Sequence, residues 1–268
     1  MAKVVNNMIK DISFSSYIFP VRNGRVAILK YGENGYGSIG GRVDDNEDLI
    51  AALRRELTEE LGVDAAKLAD NAFKIPVPYA FRHATPERAQ KRGALSEEHH
   101  FFITHVPNGV DLSFCEDRAD DVSVVWLTPA ELLAPSVTSF DDLREFYATY
   151  ILPNLSCKFS ISLQQTYYDM VKSGAKDIEL RLYDDKRRKM HAGDIILIYN
   201  AQSPSEYRLY KIAHMHIAAN FAELVTKISL SRTGFDDIAE MQALMCKFYS
   251  LDAQSKYGVV GIELTCAE

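Results

Sequence analysis

The stretch GRVDDNEDLIAALRRELTEELGV, residues 41–63, decides how the first half of this chain is read. At about 100° per residue, Ile50, Leu53, Leu57 and Leu61 fall on one stripe of a helix expected over residues 46–61 and stopped by Gly62. That stripe is the face to be buried. Glu56, Glu59 and Glu60, spaced i, i+3 and i+4, occupy the arc beside it and repel one another unless something neutralises them. A hard divalent cation with oxygen ligands does so, and Mg²⁺ is the usual choice where substrate phosphates share the coordination sphere. Taken alone, the triad is equally compatible with a solvated face paired to Arg54 and Arg55.

Outward from that helix, residues 14–20 and 25–31 are β-rich and flank Asn23-Gly24, a hairpin signal. Further strands are expected over 73–83, 98–106 and 122–127, and helices over 129–133 and 140–151. Gly35-Tyr36-Gly37-Ser38-Ile39-Gly40 fits the GxGxxG dinucleotide pattern. That motif opens a helix directly, whereas here Gly41 to Asp45 intervene, so a Rossmann reading is rejected. Pro153, followed by Asn154 and Ser156, marks a boundary. Beyond it strands are expected over 158–163, 177–182, 194–199, 207–216 and 258–264, with helices over 167–172, 221–228 and 235–248. The sequence therefore reads as α/β, in two domains spanning 1–153 and 157–268.

Composition excludes several classes. Hydrophobic residues at 47% and charged residues at 25% are ordinary globular values. No apolar run approaches the ~20 residues of a membrane-spanning helix. The opening MAKVVNNMIKDIS lacks the apolar core of a secretory signal, so a cytoplasmic protein without membrane association is expected. Cys115, Cys157, Cys246 and Cys266 are scattered, which reads as four buried structural thiols rather than a zinc site or disulfide framework. The formal charge of −7 resides in the first 156 residues, with 16 Lys and Arg against 23 Asp and Glu; the remainder is neutral. No global basic footprint for nucleic acid is present, but an acidic half concentrates a hard cation.

The 41–63 stretch matches, at every fixed position, the signature of the Nudix hydrolases: Gly41, five residues, Glu47, seven residues, then Arg55-Glu56-Leu57-Thr58-Glu59-Glu60-Leu61-Gly62-Val63. The one departure is Ile39, where many members carry Pro before the paired glycines. The resemblance covers roughly residues 10–152 and implies an α/β/α sandwich that hydrolyses a phosphoanhydride in a nucleoside diphosphate linked to another group. It implies that Glu56, Glu59, Glu60 and the Gly41 backbone hold Mg²⁺ or Mn²⁺. Glu59 and Glu60 are then catalytic carboxylates, and Arg55 pairs with Glu47 and orients Glu56. Gly40 and Gly41 allow close backbone approach. Glu97 and Glu98 are candidates for an additional acid or base, Glu98 being carried forward, or else solvated strand-end carboxylates. Pro78 and Tyr79 occupy both positions that separate ADP-ribose from dinucleoside polyphosphate hydrolases in the family, so the substrate stays open.

In the second half, period-two alternation places Asp177, Glu179 and Arg181 on one side of a strand, with Lys176 before it after the Gly174 turn. This is either a surface strand with cross-strand ion pairs or the polar wall of a pocket. Gly174-x-Lys176-x-x-Glu179-x-Arg181, with Gly193-Asp194 and Tyr257-Gly258 heading later strands, resembles an ASCH domain, a small PUA-like β-barrel, over about residues 157–266. The resemblance implies a nucleobase- or RNA-binding pocket lined by Lys176, Glu179 and Arg181. Some small ASCH proteins deacetylate acetylated cytidine with a Lys and a Thr three residues on; Glu179 replaces that Thr, which favours binding. Lys186 to Lys189 either adds phosphate contacts or forms a solvated loop balanced by Asp184 and Asp185. His214 and His216 read as structural, and Tyr167 and Tyr168 as helix packing. The alternative to a hydrolase is an RNA-binding or nucleotide-sensing protein with a non-catalytic Nudix module.

Overall fold

A computed structural model describes residues 9–33, 35–115 and 121–267 of the chain, so the opening residues 1–8 read above lie outside the described residues. The fold divides into two compact units, Met1–Lys158 and Phe159–Glu268.

The first unit is organised around β1 (Lys10–Arg22), which turns through Asn23 and Gly24, both at positive φ, into β2 (Arg25–Tyr31). β3 (Tyr36–Gly37) and β4 (Ile39–Arg42) follow, so the GxGxxG segment builds strands and opens no helix. Then come α1 (Leu49–Leu61), β5 (Phe73–Lys74), β6 (Tyr79–Arg82), α2 (Pro86–Arg92), β7 (Ala94–His105), β8 (Val122–Leu127), α3 (Pro129–Leu132) and α4 (Asp141–Phe146). α4 runs into a π-helical turn at Tyr147–Ile151. The strand expected over 73–83 is two short strands, because Pro76 and Pro78 lack the ladder N–H between them.

All eight strands form one mixed sheet. β1 pairs parallel with β7 along most of its length, antiparallel with β4 through its middle, and antiparallel with β2 at its end. α1 covers one face: Leu53 and Leu57 pack with Ile18, Leu29 and Phe102. Each of those two leucines is fully buried, worth about 1.5–3 kcal/mol apiece. On the other face Phe101 stacks on Phe19 and meets Phe146 and Tyr147. A helical layer on each side makes the expected α/β/α sandwich.

β9 (Cys157–Leu163) begins in the last two residues of the first unit and leads into the second, which continues with α5 (Gln165–Ser173), β10 (Ile178–Leu182), β11 (Ile195–Asn200), β12 (Tyr207–Ala218), α6 (Phe221–Leu224), α7 (Ile238–Phe248), α8 (Leu251–Tyr257) and β13 (Val259–Cys266). Its five strands form a curled half-barrel sheet in the order β10-β13-β12-β11-β9. Tyr168 and Val171 of α5 join one core cluster, and Phe221, Met241 and Met245 of α6 and α7 join a second. The cysteine expectation needs correction: Cys157 is buried, Cys115 is partly exposed, and Cys246 and Cys266 are exposed. Burial pushes the Cys157 thiol up to about 12. No helix of the described residues is long and apolar enough to cross a membrane.

Candidate active site and ligand cavity

The acidic helix starts later than its periodicity suggests, at Leu49. Asn46 stands in the left-handed region at φ 71°, and the Asp48 carboxylate caps the helix by accepting from the amides of Ile50 (2.9 Å) and Ala51 (2.8 Å). Arg55 is the hub of the side-chain network. Its Nε and Nη2 donate to the two oxygens of Glu47 (both 3.1 Å), Nη2 also donates to the Arg42 carbonyl (2.8 Å), and Nη1 donates to Glu56 Oε1 (2.8 Å). Glu59 Oε1 lies 3.6 Å from the same Nη1, so two carboxylates one turn apart converge on one cationic nitrogen. Glu47, and after it Glu56, holds the Arg55 guanidinium firmly protonated, and in return Arg55 holds the Glu47 carboxyl below its ordinary range.

Glu60 is buried and accepts from the Gly40 amide (2.8 Å), which ties the helix to β4. Gly40 does not tolerate a side chain, and one at Gly41 would displace the Glu56 carboxylate. Gly40 has φ 117°, and a Cβ there would reach within 3.0 Å of Tyr17 Cα; at Gly41 it would lie 2.6 Å from the Glu56 carboxyl carbon. The donor set of Glu56, Glu59 and Glu60 is hard oxygen, and Glu56 and Glu59 already bracket a positive atom, which fits a divalent cation. Among the described residues no three His, Cys, Asp or Glu side chains stand preassembled as a metal cluster, because Glu56 is turned to Arg55 and Glu60 to Gly40.

The structure separates the two neighbouring carboxylates of β7. Glu98 pairs with His100 Nε2 (3.0 Å), and Phe14 is its register partner on β1. Glu97 points to the opposite face. There it is buried among His99 Nε2 (3.0 Å), His83 Nε2 (3.1 Å), Arg42 Nη2 (3.7 Å) and Arg92 Nε (3.8 Å). Burial alone would raise the Glu97 pKa, but the His99 hydrogen bond and the electrostatic influence of Arg92 and the neighbouring His99 and His83 outweigh it and hold the carboxyl low. Burial raises the Tyr17 phenol, and the charges of both Glu97 and Glu56 add to that, so Tyr17 links the two carboxylate groups electrostatically. Arg42, whose carbonyl holds Arg55 and whose side chain faces Glu97, was absent from the sequence-derived site, since strand register is not written in spacing. Tyr79 donates to Asp142 Oδ2 (2.6 Å) and packs its ring on Phe81 and Phe146.

In the second unit the motif residues do meet. Lys176, Glu179 and Arg181 line a cavity of about 330 Å³ whose walls include Tyr167, Phe235 and Tyr249. Lys176 Nζ donates to the carbonyls of Ile178 (2.8 Å) and Thr233 (2.9 Å) and lies 3.2 Å from Glu179 Oε2. Arg181 Nη1 lies 3.1 Å from Glu179 Oε1 and donates to the Tyr249 hydroxyl (3.2 Å), while Nη2 donates to the Ser162 carbonyl (3.1 Å). Burial would raise the Glu179 pKa, yet the Arg181 and Lys176 cations hold it low. Asp177 is not brought to this wall: Arg232, 55 positions on, holds it through Nε (2.9 Å) and Nη2 (2.7 Å). Tyr168 is core as expected, and Tyr167 packs against both core clusters while also lining the cavity. His216 pairs with Glu263 (2.8 Å), with the His214 ring 4.5 Å from its own. Of the basic run, Arg187 lines the cavity and Arg188 donates to the Tyr183 (3.0 Å) and Tyr257 (3.3 Å) carbonyls.

Comparison with known proteins follows the same division. A family model described as the NUDIX domain matches residues 16–150, and one described as the ASCH domain matches residues 161–267. Among solved structures, the hypothetical protein PH0355 is 32% identical, with 41% of this chain and 98% of that one covered at a TM-score of 0.37. The MutT protein from Methanosarcina mazei Go1 is 18% identical, covering 54% and 96% at a TM-score of 0.40. The E. coli dihydroneopterin triphosphate pyrophosphohydrolase is 20% identical, covering 52% and 94% at a TM-score of 0.38. No curated protein matches the chain. With the NUDIX match extending over half its length, the chain belongs to the Nudix family and carries an ASCH domain as its second unit.

Proposed function

We propose that the first unit hydrolyses a phosphoanhydride bond in a nucleoside diphosphate linked to another group, and that the second unit, 157–268, binds RNA or a nucleobase. The observation that carries the hydrolase reading is the Arg55 guanidinium, fixed by Glu47 and bracketed by Glu56 and Glu59. Glu56, Glu59 and Glu60, with the Gly41 backbone beside them, would hold Mg²⁺ or Mn²⁺. A cation held there would supply Lewis-acid chemistry to the phosphoryl group and to the attacking water.

The remaining work falls to the chain itself. Arg55 holds the Glu56 carboxylate and screens its repulsion with Glu59. Glu59, the most exposed of the three at 38%, and Glu60 are the proposed proton acceptors as a water oxygen bonds to phosphorus and the bridging P–O bond breaks. For the carboxylate outside the helix, the geometry favours Glu97 over Glu98, since the Arg42 side chain faces Glu97 while the Arg42 carbonyl holds Arg55. In the second unit, Lys176, Glu179 and Arg181 form the proposed binding wall.

The test is turnover of a panel of nucleoside diphosphate derivatives by the full chain with Mg²⁺ or Mn²⁺, read as nucleotide release by ion-exchange chromatography. Release that stops with chelator and in Glu59→Gln is the expected result. No release across the panel, together with retained RNA affinity, would select the non-catalytic alternative.

A further inference from the structure

Among the described residues, the lining of the ASCH cavity includes an arginine with a buried, unpartnered donor. The three hydrogens of the Lys176 ammonium are directed to Ile178 O, Thr233 O and Glu179 Oε2. The other Glu179 oxygen faces Arg181, and Arg181 is further committed to Tyr249 and Ser162. These three motif residues therefore chiefly satisfy one another.

Arg187 differs. Its Nη1 donates to Asp184 Oδ2 (2.8 Å), and its backbone amide donates to Asp184 Oδ1 (3.0 Å), which fixes the side chain from one end. Its Nε is buried with no hydrogen-bond partner among the described residues, and the residue itself lines the cavity. Leaving such a donor unmet is costly, so a ligand acceptor there gains more than a surface hydrogen bond would. With Nη1 held by Asp184, the edge left to a ligand is the Nε–H and Nη2–H fork, which reads two adjacent acceptors lying in one plane.

The rest of the cavity defines what carries those acceptors. Tyr167, Phe235 and Tyr249 supply flat apolar walls, and about 330 Å³ lies at the small-molecule end of ligand sites, room for one nucleoside and not for a strand. Two arginines and a lysine stand against Glu179 and Asp184, so the site is short of acceptors, not donors. Guanine offers adjacent acceptors at O6 and N7, and cytosine at O2 and N3. Adenine and uracil alternate donor and acceptor along their edges.

We infer that Arg187 reads the ligand of this cavity, and that the ligand is a single guanine or cytosine nucleoside, free or at an RNA end, with Lys176 and Glu179 acting as positioning residues. The inference rests on the second unit being a nucleobase binder and adds which atom reads the base and which bases it accepts.

Calorimetric titration of the full chain with guanosine, cytidine, adenosine, uridine and inorganic phosphate tests it, alongside a short single-stranded RNA of mixed sequence. Guanosine or cytidine should bind about tenfold or more tightly than adenosine and uridine. Arg187→Ala should remove that binding, and Arg187→Lys, which keeps the charge and loses the fork, should remove the discrimination. Arg188→Ala, on a side chain turned to backbone carbonyls, should change neither. Unchanged thermal midpoints in the Arg187 variants exclude loss of fold as the cause. Equal binding of all four nucleosides, binding that survives Arg187→Ala, or phosphate binding as tightly as guanosine would each overturn the inference. If RNA still binds while every nucleoside fails, the inference falls and the RNA-binding reading stands; if RNA fails too, both fall.

Discussion

Two clusters of charge, one in each unit, are built from the same residue types with opposite balance. Around α1 four carboxylates, Asp44, Glu47, Glu56 and Glu59, lie within 3.8 Å of the Arg55 guanidinium, with Glu60 buried against the Gly40 amide, and Glu59 remains exposed. In the ASCH cavity one buried carboxylate, Glu179, sits between Lys176 and Arg181, with Arg187 close by. The excess anion of the first has a use only if a cation joins it. The excess cation of the second has a use only if an acceptor does. Burial sharpens the contrast: Lys176 and Glu179 of the ASCH cluster are buried, whereas the exposed Glu59 of the helix cluster can be removed with less harm to folding.

The largest expected effect tests that last difference. Glu179→Ala leaves two cations uncompensated and should cost about 3–5 kcal/mol, read as a lower urea midpoint for the second unit; a loss under about 1 kcal/mol would put the cluster in the same class as the exposed one. Its pH dependence follows from the depressed Glu179 carboxyl. The stabilisation is complete at neutral pH and is lost as pH falls below the ordinary carboxylate range and through the lowered folded value. Glu179→Gln should therefore flatten the acid limb of a stability profile. On the other side, Glu56→Gln should reduce hydrolysis on the order of a hundredfold while the unfolding midpoint stays put. Glu47→Gln, one step removed, should cost roughly tenfold in turnover, and a loss confined to stability would deny Glu47 its positioning role. The smallest effect is expected at the helix start, where Asp48→Ala should lower the stability of the first unit by about 1 kcal/mol in thermal unfolding.

How much of this was legible depended on the range over which each feature is determined. The α1 glutamates were readable because helix spacing alone puts them on one face, and Glu179 with Arg181 because strand spacing does the same, whereas Lys176 precedes the strand and was legible only through the ASCH resemblance. Asn23-Gly24 announced its hairpin locally. Asp177 was misplaced because its partner is Arg232, far along the chain. Glu97 and Glu98 are adjacent in sequence and face opposite ways, and only pairing of β7 with β1 and β6 decides which face meets Arg42. The helix α2 was overlooked although Thr85, Pro86 and Gly93 supply its cap, its first turn and its left-handed stop. Nothing in the basic run distinguished Arg187 from Arg188; Asp184 and the cavity do.

The shared strand β1 has a mechanical consequence. One of its edges is laced to β4 from Ser15 to Ile18, and the other to β7 from Lys10 to Val21. The glycine pair that receives the helix and the strand that carries Glu97 are thus bolted to a single beam. A load applied at either seam is transmitted across the width of one backbone, so the two can shift together far more cheaply than they can part.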